Sequence, residues 1–485
     1  MKVNELVKNL PCEYRVIGNC EENVTSLCTD SRAVKEGCLF FCIPGMHSDA
    51  HDFAPEALKK GAKALVVERE LPLACAQILV KNVRLAMSYI AAAFYDNPAQ
   101  KLKMVGITGT KGKTTTSFLL KSILEKAGHK VGLIGTVCTL IGNVERAAGK
   151  TTPDPVEFQE TLSEMVKMGV EYVVMEVSAH ALAMHRIAGV RFAAAGFTNL
   201  SQDHLDYFGT MEKYLEAKLD ILDMSDAMAV NTDDERVANA VLKRGTRFTR
   251  VGIREPADNY AREIEFNENG LSFRLCFHKR FDTMVRMSMT GIFNVYNALM
   301  AASLADLVGI RGDAIREGLE SVKSVPGRIE LLETHTPYRV ILDYAHSPDA
   351  LENILTTVRQ TTKGRVICVF GCGGGRDHSK RPIMGEISGR LSDFSVVTSD
   401  NPRDEEPMSI IAAIEEGISQ TGGEYVVIEN RREAIRYALS MAKLGDAVVL
   451  AGKGHETYQE INGVKHPFDE KVIVQELLDE MTDAL

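Results

Sequence analysis

Residues 105–116 read VGITGTKGKTTT, and the stretch decides the fold because an apolar strand pattern gives way to a glycine loop and then to a helix pattern. Gly109 and Gly112 bracket the loop, so backbone N–H groups there can approach a phosphate closely. Lys113 and Thr114 open the helix, where a lysine neutralises outer phosphates and a hydroxyl is a ligand for Mg²⁺. The match to G-x-x-x-x-G-K followed by Ser or Thr lacks its first glycine, which is Ile107 here. The stretch predicts ATP binding, with a chance glycine turn as the alternative.

Short β-rich runs alternate with helix-length amphipathic segments along nearly the whole chain, which predicts parallel α/β layers. The segments YDNPAQKLK, near residue 100, and SVKSVPGRIE, at Pro326 and Gly327, mark breaks between blocks. The sequence therefore predicts an α/β protein of three domains, with bounds 1–100, 101–327 and 328–485.

The bulk composition narrows the class of protein. The 485 residues carry a net charge of −10, spread along the chain, which disfavours nucleic acid or an anionic membrane surface as a partner. No apolar stretch approaches the length that crosses a bilayer, and the N-terminus lacks a signal-peptide pattern, so we expect a cytoplasmic protein. The ten cysteines lie mostly in apolar segments, which favours reduced, buried thiols such as Cys368 and Cys372.

Acidic and basic residues follow two further apolar runs. In EYVVMEVSAH, residues 172–175 predict a buried strand and Glu176 falls near its carboxyl end, as a metal ligand or as a solvated acid. In FTNLSQDHLDYFGTMEKYLEAK, His204 lies in a polar loop and Thr210 is a plausible cap for a helix that carries Lys213 and Lys218. Taken alone, Lys218 is interpreted as a solvated helix lysine.

Residues 399–403, SDNPR, follow the apolar run FSVVTS and precede the helix pattern PMSIIAAIEEGI. This placement predicts a loop at the carboxyl end of a strand, where open α/β sheets bind ligands. Taken alone, these five residues predict only a turn that carries an exposed arginine, Arg403. Glu405, Glu406 and Pro407 suit the start of the next helix rather than a substrate.

Taken together, the motifs of the chain resemble the Mur ligases, the ATP-dependent amino-acid-adding enzymes of bacterial peptidoglycan precursor synthesis. The resemblance is carried, in order, by TDSRAVKEGCLFFCIPG, GTKGKTTT, MEVSAHAL, FTNLSQDHLDYFG, YLEAK, GIFNVYNALMA, PGRIE, DYAHSPDAL, GCGGGRD, KRPIMGE, DNPR and AGKGHE. It implies a three-domain architecture with a central P-loop ATPase-like domain and a Rossmann-like C-terminal domain.

The resemblance also implies a reaction. ATP phosphorylates the γ-carboxylate of D-glutamate in UDP-N-acetylmuramoyl-L-alanyl-D-glutamate, and an incoming amine displaces phosphate to form the amide. TDSR, HRIAG and GCGGGRD resemble the family member that adds the third residue of the stem peptide, and DNPR with GKGHE resembles the signature for meso-diaminopimelate. Implied cofactors are Mg²⁺, ATP as co-substrate, and CO₂, which would convert Lys218 into a carbamate, N6-carboxylysine.

Residue roles carried over by the resemblance fall into four groups. The catalytic and metal-binding group is Lys113, Thr114, Glu176, His204 and Lys218. The ATP-binding group is Gly109, Thr110, Lys111, Gly112, Lys113, Thr114, Thr115, Asn297, Arg328 and Asp343. The group at the UDP-linked substrate is Thr29, Ser31, His47, Thr151, Thr152, Ser178 and Arg186, next to a Lys150 where some members have asparagine. The diaminopimelate group is Arg376, Asp400, Asn401, Pro402, Arg403, Gly452 and Glu456.

Two alternatives stay open at this point: a lysine-adding or other amide ligase on the same fold, and a regulatory or motor P-loop ATPase that couples hydrolysis to motion. A binding protein with a decayed site is disfavoured, because every candidate catalytic position carries the expected residue type. The expected partners are the UDP-linked dipeptide, meso-diaminopimelate and ATP, with no nucleic acid or membrane partner, and the expected state is a monomer.

Overall fold

The structure is a computed structural model that describes residues 1–45, 48–142, 144–254, 257–267, 270–277 and 281–483. These residues form two compact units. Unit 1 comprises residues 1–200, 212–260 and 298–318, and unit 2 comprises residues 201–211, 261–297 and 319–485. Within the described residues, no helix has the length and apolar character needed to cross a bilayer.

The helices and strands up to residue 147 are α1 (Val3–Val7), β1 (Tyr14–Ile17), β2 (Ser26–Cys28), β3 (Cys38–Phe41), α2 (Ala54–Lys59), β4 (Ala64–Val67), β5 (Ala76–Val80), α3 (Val83–Phe94), β6 (Lys103–Thr108), α4 (Lys113–Lys126), β7 (Val131–Ile134), β8 (Cys138–Ile141) and β9 (Val144–Ala147). The next are α5 (Pro155–Lys167), β10 (Tyr172–Glu176), α6 (Ala179–Ala183), β11 (Ala194–Phe197), α7 (Leu205–Phe208), α8 (Met211–Asp223), β12 (Met228–Asn231), α9 (Glu235–Lys243), β13 (Thr249–Gly252), β14 (Asn259–Asn267), β15 (Gly270–Phe277) and β16 (Phe281–Met287).

The remaining elements are α10 (Ile292–Leu307), α11 (Asp313–Ser321), β17 (Glu330–Leu331), β18 (Arg339–Asp343), α12 (Pro348–Thr361), β19 (Val366–Phe370), α13 (Lys380–Leu391), β20 (Phe394–Val397), α14 (Pro407–Ile418), β21 (Tyr425–Val427), α15 (Arg431–Met441), β22 (Ala447–Ala451), β23 (Tyr458–Ile461), β24 (Val464–Pro467) and α16 (Glu470–Asp483). Two short 3₁₀ helices are Ala50–Phe53 and Pro98–Lys101.

Unit 1 contains two sheets. The first has the order β1-β5-β4-β3-β2 and is parallel except for the β1–β5 pair. In the second, β13-β12-β11-β6-β10-β7 are parallel and β8 and β9 continue antiparallel. Strand β6 lies between β10 and β11, so the loops that follow these three strands meet at one edge of the sheet. In an open α/β sheet, that edge is where ligands bind.

In unit 2, the main sheet has the order β17-β18-β22-β19-β20-β21 and is parallel apart from β17. Its strands are buried on both faces: Ile341, Cys368 and Val449 face one core, whereas Val340, Ile367 and Val448 face the other. Strands covered on both faces need continuous apolar runs, which the sequence provides.

The parallel α/β pattern, predicted for nearly the whole chain, does not extend to residues 270–287. There β15 and β16 form an antiparallel pair, with Leu271 opposite Met287 and Phe277 opposite Phe281. The alternation in LSFRLCF is typical of a half-buried antiparallel strand, so this signal could have revealed the pair, but the sequence analysis did not use it.

Asp446, which precedes β22, ties the turn after α15 to the sheet. Its nearly buried carboxylate accepts hydrogen bonds from the N–H groups of Arg365 (2.7 Å) and Lys443 (2.9 Å) and pairs with the Arg365 guanidinium at 2.8 Å. Burial alone would raise the pKa of Asp446, but these hydrogen bonds and the Arg365 charge outweigh it and lower the pKa below 3.8.

Replacement of Asp446 by asparagine is expected to lower the free energy of unfolding at pH 7 by about 1–3 kcal/mol, because it removes a charge that receives several hydrogen bonds. A carboxyl with a lowered folded-state pKa stabilises the fold above its unfolded pKa near 3.8, and that contribution is lost as the pH falls through the folded value. The difference between Asp446→Asn and the parent should therefore shrink below pH 3.8 in thermal unfolding. Asp479→Asn, at an exposed position of α16, is the control. A difference that stays constant with pH would contradict the assignment.

Candidate active site

The loop between β6 and α4 has the form that the sequence predicts. Gly109 and Gly112 adopt left-handed backbone angles, with φ of 134° and 84°, and α4 begins at Lys113. A Cβ at Gly109 would lie 2.0 Å from Thr198 Oγ1, so only glycine fits there. The Lys113 ammonium folds back and donates to the carbonyl oxygens of Gly109 (2.9 Å) and Thr110 (3.0 Å). The loop thus places a lysine and a helix N-terminus together, as a phosphate site requires.

Two residues at the end of β11 brace this loop, and the sequence interpretation assigned no role to either. Thr198 Oγ1 donates to the Lys111 carbonyl (2.7 Å), and Asn199 Oδ1 accepts from the Lys111 N–H (2.9 Å). The Thr110 N–H donates to the Asn199 carbonyl at 2.9 Å. Because β11 lies beside β6, this bracing fixes the loop between two neighbouring strand ends.

Glu176 is the last residue of β10, as predicted, and its side chain is buried. Its Oε2 accepts hydrogen bonds from the hydroxyls of Thr114 (3.2 Å) and Thr136 (2.9 Å), and its Oε1 accepts the Thr136 N–H at 3.0 Å. Across the described ranges no Lys, Arg or His forms an ion pair with it. Thr136 was missed because its own segment, GTVC, carries no acidic or basic signal.

The surroundings of Glu176 fit a divalent cation. A buried carboxylate is costly without a compensating charge, and Thr114 and Thr136 add hydroxyl oxygens. Mg²⁺ binds through one or two carboxylates with water and phosphate oxygens rather than in a cage of protein ligands. Among the described residues there is no group of three or more His, Cys, Asp and Glu side chains that could hold a metal ion.

Lys218 lies in α8 and is 1% exposed, so its interpretation as a solvated helix lysine is wrong. Its ammonium donates to the Gly109 carbonyl at 2.8 Å and lies 4.6 Å from the centroid of the Tyr214 ring. Lys113 donates to the same carbonyl oxygen. Two lysines, one of them buried, therefore converge on the first glycine of the phosphate loop.

Four predicted substrate residues gather next to Glu176. Thr151 Oγ1 lies 3.0 Å from Thr136 Oγ1, and Thr152 Oγ1 donates to the Glu176 carbonyl at 2.8 Å. The Ser178 N–H donates to Thr152 Oγ1 (3.1 Å), and Arg186 Nη1 donates to the Thr152 carbonyl (3.0 Å). Residues that the sequence places up to 35 positions apart thus form one connected surface beside the phosphate loop.

In unit 2, the DNPR loop follows β20 and is tied to the GKGHE loop that follows β22. Asn401 Oδ1 accepts from the Lys453 ammonium (3.0 Å), and Asn401 Nδ2 donates to Glu456 Oε2 (2.8 Å). Lys453 is fully buried, and its ammonium also pairs with the Glu456 carboxylate at 3.3 Å. Glu456 Oε1 accepts a hydrogen bond from the Tyr344 hydroxyl at 3.4 Å. Burial, followed by the charge of Glu456, raises the pKa of Tyr344. The Glu456 carboxylate is thereby held at the sheet edge by three donors.

Asp400 faces the interior, where a buried arginine joins the same two loops. Arg431 pairs with Glu470 at 2.8 Å, donates to the Ala451 carbonyl at 2.9 Å and lies 3.9 Å from Asp400 Oδ2. A Cβ at Gly452 would lie 2.4 Å from Asp400 Oδ2, which accounts for the glycine at that position. Sequence reasoning missed Arg431 and Glu470 because their partners are distant along the chain.

Two predicted substrate-binding arginines, Arg376 and Arg403, lie in the loops that follow β19 and β20. Arg376 is exposed and forms no hydrogen bond or ion pair within the described ranges. Arg403, with φ of 53°, donates through Nη1 to the Gly374 carbonyl (2.6 Å) and lies 3.2 Å from Glu460 Oε2 through Nε. A Cβ at Gly375 would lie 3.9 Å from Arg403 Cδ, so the residue before Arg376 packs beside Arg403.

The acidic residues after Arg403 divide between two roles. Glu406 caps α14, since its side chain accepts the Ser409 N–H, and Pro407 is the first residue of that helix, as predicted. Glu405 differs from the prediction: it pairs with Arg381 at 2.8 Å and accepts the Gly375 N–H at 2.5 Å. Glu405 therefore stabilises the loop of residues 373–375, which follows β19, rather than the N-terminus of α14.

Comparison with known protein families matches three segments of the chain. The family model described as Mur ligase family, catalytic domain, matches residues 23–105, the Mur ligase middle domain matches residues 107–305, and the Mur ligase glutamate ligase domain matches residues 327–454. The chain is 44% identical to UDP-N-acetylmuramoyl-L-alanyl-D-glutamate--2,6-diaminopimelate ligase 1 of Clostridium acetobutylicum, over 99% of this chain and 100% of that protein. The chain belongs to the Mur ligase family.

Further relatives agree with this assignment. The chain is 44% identical to the 2,6-diaminopimelate ligase of Caldanaerobacter subterraneus, over 99% of each chain. A solved structure titled UDP-N-acetylmuramoyl-L-alanyl-D-glutamate--2,6-diaminopimelate ligase superposes with a TM-score of 0.70 at 30% identity, over 99% of both chains. MurF from Acinetobacter baumannii shares the fold, with a TM-score of 0.68 at 21% identity. The predicted α/β class and three-domain Mur ligase architecture are confirmed.

In this Mur ligase, the residues predicted near uridine lie after β2. Thr29 is exposed, and the Ser31 carbonyl accepts from the Lys60 ammonium at 3.0 Å. Between them, Asp30 forms a two-point pair with Arg32, whose hydrogen bonds lower the pKa of Asp30 to about 2. His47 lies outside the described residues.

Unit 2 of the Mur ligase contains four further predicted residues. His204 precedes α7 with φ of 55°, and its N–H donates to Asp203 Oδ1 at 3.0 Å. Asn297, buried in α10, donates to Asn294 Oδ1 at 3.0 Å. Arg328 stacks over the Tyr344 ring, 5.1 Å from its centroid, and Asp343 Oδ2 accepts the Ile329 N–H at 2.8 Å. Arg328 and Asp343 are therefore neighbours at the end of β18, whereas Thr114, Glu176 and Lys218 belong to unit 1.

Proposed function

We propose that this Mur ligase joins meso-diaminopimelate to the γ-carboxylate of D-glutamate in UDP-N-acetylmuramoyl-L-alanyl-D-glutamate, with ATP cleavage, in peptidoglycan precursor synthesis. One observation carries the choice of amino acid. The strand-end loops of unit 2 present the Arg403 and Arg376 guanidinium groups and the Glu456 carboxylate. That set complements a molecule with two carboxylates and a distal ammonium. Full-length relatives named as diaminopimelate ligases support the same choice.

The energetic logic of the reaction is that a carboxylate is a poor electrophile. Transfer of the γ-phosphoryl group of ATP to the γ-carboxylate makes an acyl phosphate, and attack by the amine forms the C–N bond and releases phosphate. We propose that Lys113 and the N-terminus of α4 bind the ATP phosphates, together with Thr110, Lys111 and Thr115. Asn297, Arg328 and Asp343 are the proposed contacts to the rest of the nucleotide.

Mg²⁺ would neutralise phosphate charge during the transfer, and Thr114 and Glu176 are the residues of unit 1 whose chemistry fits it. His204 is a further proposed ligand. Lys218 is proposed to react with CO₂, since a carbamate replaces a buried cation by an anion that can hold a cation. The buried position of Lys218 beside the loop supports this proposal.

The substrate amine must attack unprotonated, and a free amine of this kind has a pKa near 10. We assign the binding and orientation of this amino acid to unit 2. We propose that Arg376 binds the carboxylate beside the reacting amine, Arg403 binds the distal carboxylate and Glu456 pairs with the distal ammonium. Asn401 holds Glu456 in place, and Asp400, Pro402 and Gly452 shape the loops around it.

The remaining contacts are proposals of the same kind. Thr29, Ser31 and His47 are assigned to the uridine nucleotide, and Thr151, Thr152, Ser178 and Arg186 to the sugar-peptide part. We also propose domain bounds of 1–100, 101–327 and 328–485, a monomeric enzyme and a cytoplasmic location.

Phosphate release with each substrate withheld tests this function against a regulatory ATPase. A ligase is expected to release phosphate rapidly only when ATP, the UDP-linked dipeptide and the amino acid are all present, because the acyl phosphate needs its acceptor and the amine completes the turnover. Phosphate release at the full rate without the dipeptide and the amino acid would contradict the proposal.

A further inference from the structure

The backbone of Arg403 is fixed by the hairpin of β23 and β24. The Arg403 N–H donates to the Glu460 carbonyl at 3.0 Å, and the Asn462 N–H donates to the Arg403 carbonyl at 2.8 Å. These two bonds hold Arg403 in the left-handed region, which non-glycine residues rarely adopt. The direction in which the Arg403 side chain leaves the backbone is therefore set by this hairpin together with the DNPR loop.

The guanidinium is held at two of its three nitrogens. Nε lies 3.2 Å from Glu460 Oε2, and Nη1 donates to the Gly374 carbonyl at 2.6 Å. A Cβ at Gly373 would lie 3.0 Å from Nη1, so the loop of residues 373–375 packs closely against that nitrogen. Within the described ranges Nη2 has no hydrogen-bond partner. The Arg403 and Glu460 side chains are 25% and 26% exposed, so the pair is partly shielded from water.

A guanidinium is planar, and two fixed nitrogens determine the direction of the third. Because Nε faces Glu460, the N–H groups left for a ligand are those of Nη2 and the second one of Nη1. Two adjacent N–H groups of this kind form the end-on, two-point contact to a carboxylate. Without Glu460 the guanidinium would be held only at Nη1, by the Gly374 carbonyl, and would pivot about that single hydrogen bond and lose this orientation.

We propose that Glu460 is a positioning residue for Arg403 and, through it, a determinant of specificity for an amino acid with a second, distal carboxylate. Glu460 fixes the Nε side of the guanidinium and aims its Nη2 end at the substrate. The inference rests on the proposed function, since it takes Arg403 as the residue that binds the distal carboxylate.

The test is steady-state kinetics of Glu460→Ala and Glu460→Gln with meso-diaminopimelate as the varied substrate. Glu460→Ala removes the acceptor for Nε, so KM for diaminopimelate should rise about fivefold to tenfold, with kcat within about twofold of the parent. Glu460→Gln keeps an oxygen acceptor at Nε, so its KM should stay within about threefold. Glu386→Ala is the matched control, because Glu386 also pairs with an arginine, Arg390, at 3.6 Å in unit 2.

The same substitution in an Arg403→Ala background separates positioning from a general role in the hairpin. If Glu460 acts through Arg403, Glu460→Ala should raise KM no further in that background. An unchanged KM in Glu460→Ala, an equal rise in the Ala and Gln variants, or an undiminished effect in the Arg403→Ala background would each overturn the inference. If the parent chain ligates diaminopimelate and one of these results is found, only the inference fails. If the parent chain itself does not ligate it, the proposed function fails first.

Discussion

Lys218→Ala is expected to abolish most ligase activity, with a loss of roughly 100-fold or more in kcat, since loss of a group that helps to bind an essential metal costs at least that much. The physical reason lies in the position of Lys218, which is buried and within hydrogen-bonding distance of the Gly109 carbonyl. As a carbamate it would supply an anion at the phosphate loop, and alanine supplies none. The measurement is the ligation rate at saturating substrates.

The comparison that separates a carbamate from an ordinary ammonium is chemical rescue. Added short-chain carboxylates should restore part of the activity of Lys218→Ala, whereas small amines should not. Lys213→Ala is the matched control, because Lys213 is exposed on the same helix and should keep activity near the parent. Normal turnover of Lys218→Ala would disprove the assignment, and rescue by amines alone would disprove the carbamate.

Arg403→Ala is expected to lower kcat/KM for meso-diaminopimelate by roughly 100-fold, because a two-point contact between charged groups is lost at the distal carboxylate. L-Lysine has an ammonium but no carboxylate at that end, so the same substitution should not impair its weak turnover. It should relieve a like-charge contact. The readout is the ratio of kcat/KM for the two amino acids.

Arg390→Ala, an exposed arginine of α13, controls for loss of a positive charge in unit 2. A lysine-adding ligase predicts a different pattern, in which Arg403→Ala leaves the turnover of lysine high and unchanged and diaminopimelate is a poor substrate throughout. Equal effects on both amino acids would contradict the proposed role of Arg403.

Local sequence patterns were sufficient to predict the helices and strands that position the site residues. The strand before Gly109, the helix that starts at Lys113 and the strand that ends at Glu176 are confirmed, as are β20 and α14 on either side of DNPR. Each rests on signals within a few residues, namely apolar periodicity bounded by glycine, proline or a charge.

The missed features depend on partners far away in sequence. Lys218 lies on an amphipathic helix, and only tertiary contact with the Gly109 loop makes it a buried residue. The buried charges Arg431 and Lys453 have partners up to 52 residues away. Arg431 and Glu470 are the first residues of α15 and α16, whereas Lys453 and Asn401 lie in loops that follow parallel strands and meet at the same sheet edge. Helix or strand propensity holds no information about such distant pairs. The family resemblance supplied the candidate site residues, but neither their contacts nor the buried charges Arg431 and Lys453.

The central claim is tested most directly by one ligation assay. The purified chain would be given ATP, Mg²⁺ and UDP-N-acetylmuramoyl-L-alanyl-D-glutamate with either meso-diaminopimelate or L-lysine, and the UDP-linked tripeptide would be measured by mass. We expect the diaminopimelate tripeptide to form with a kcat/KM at least about 100-fold above that of the lysine product, because only diaminopimelate provides the carboxylate for Arg403. Equal or greater formation of the lysine tripeptide, or no tripeptide with either amino acid, would contradict the account.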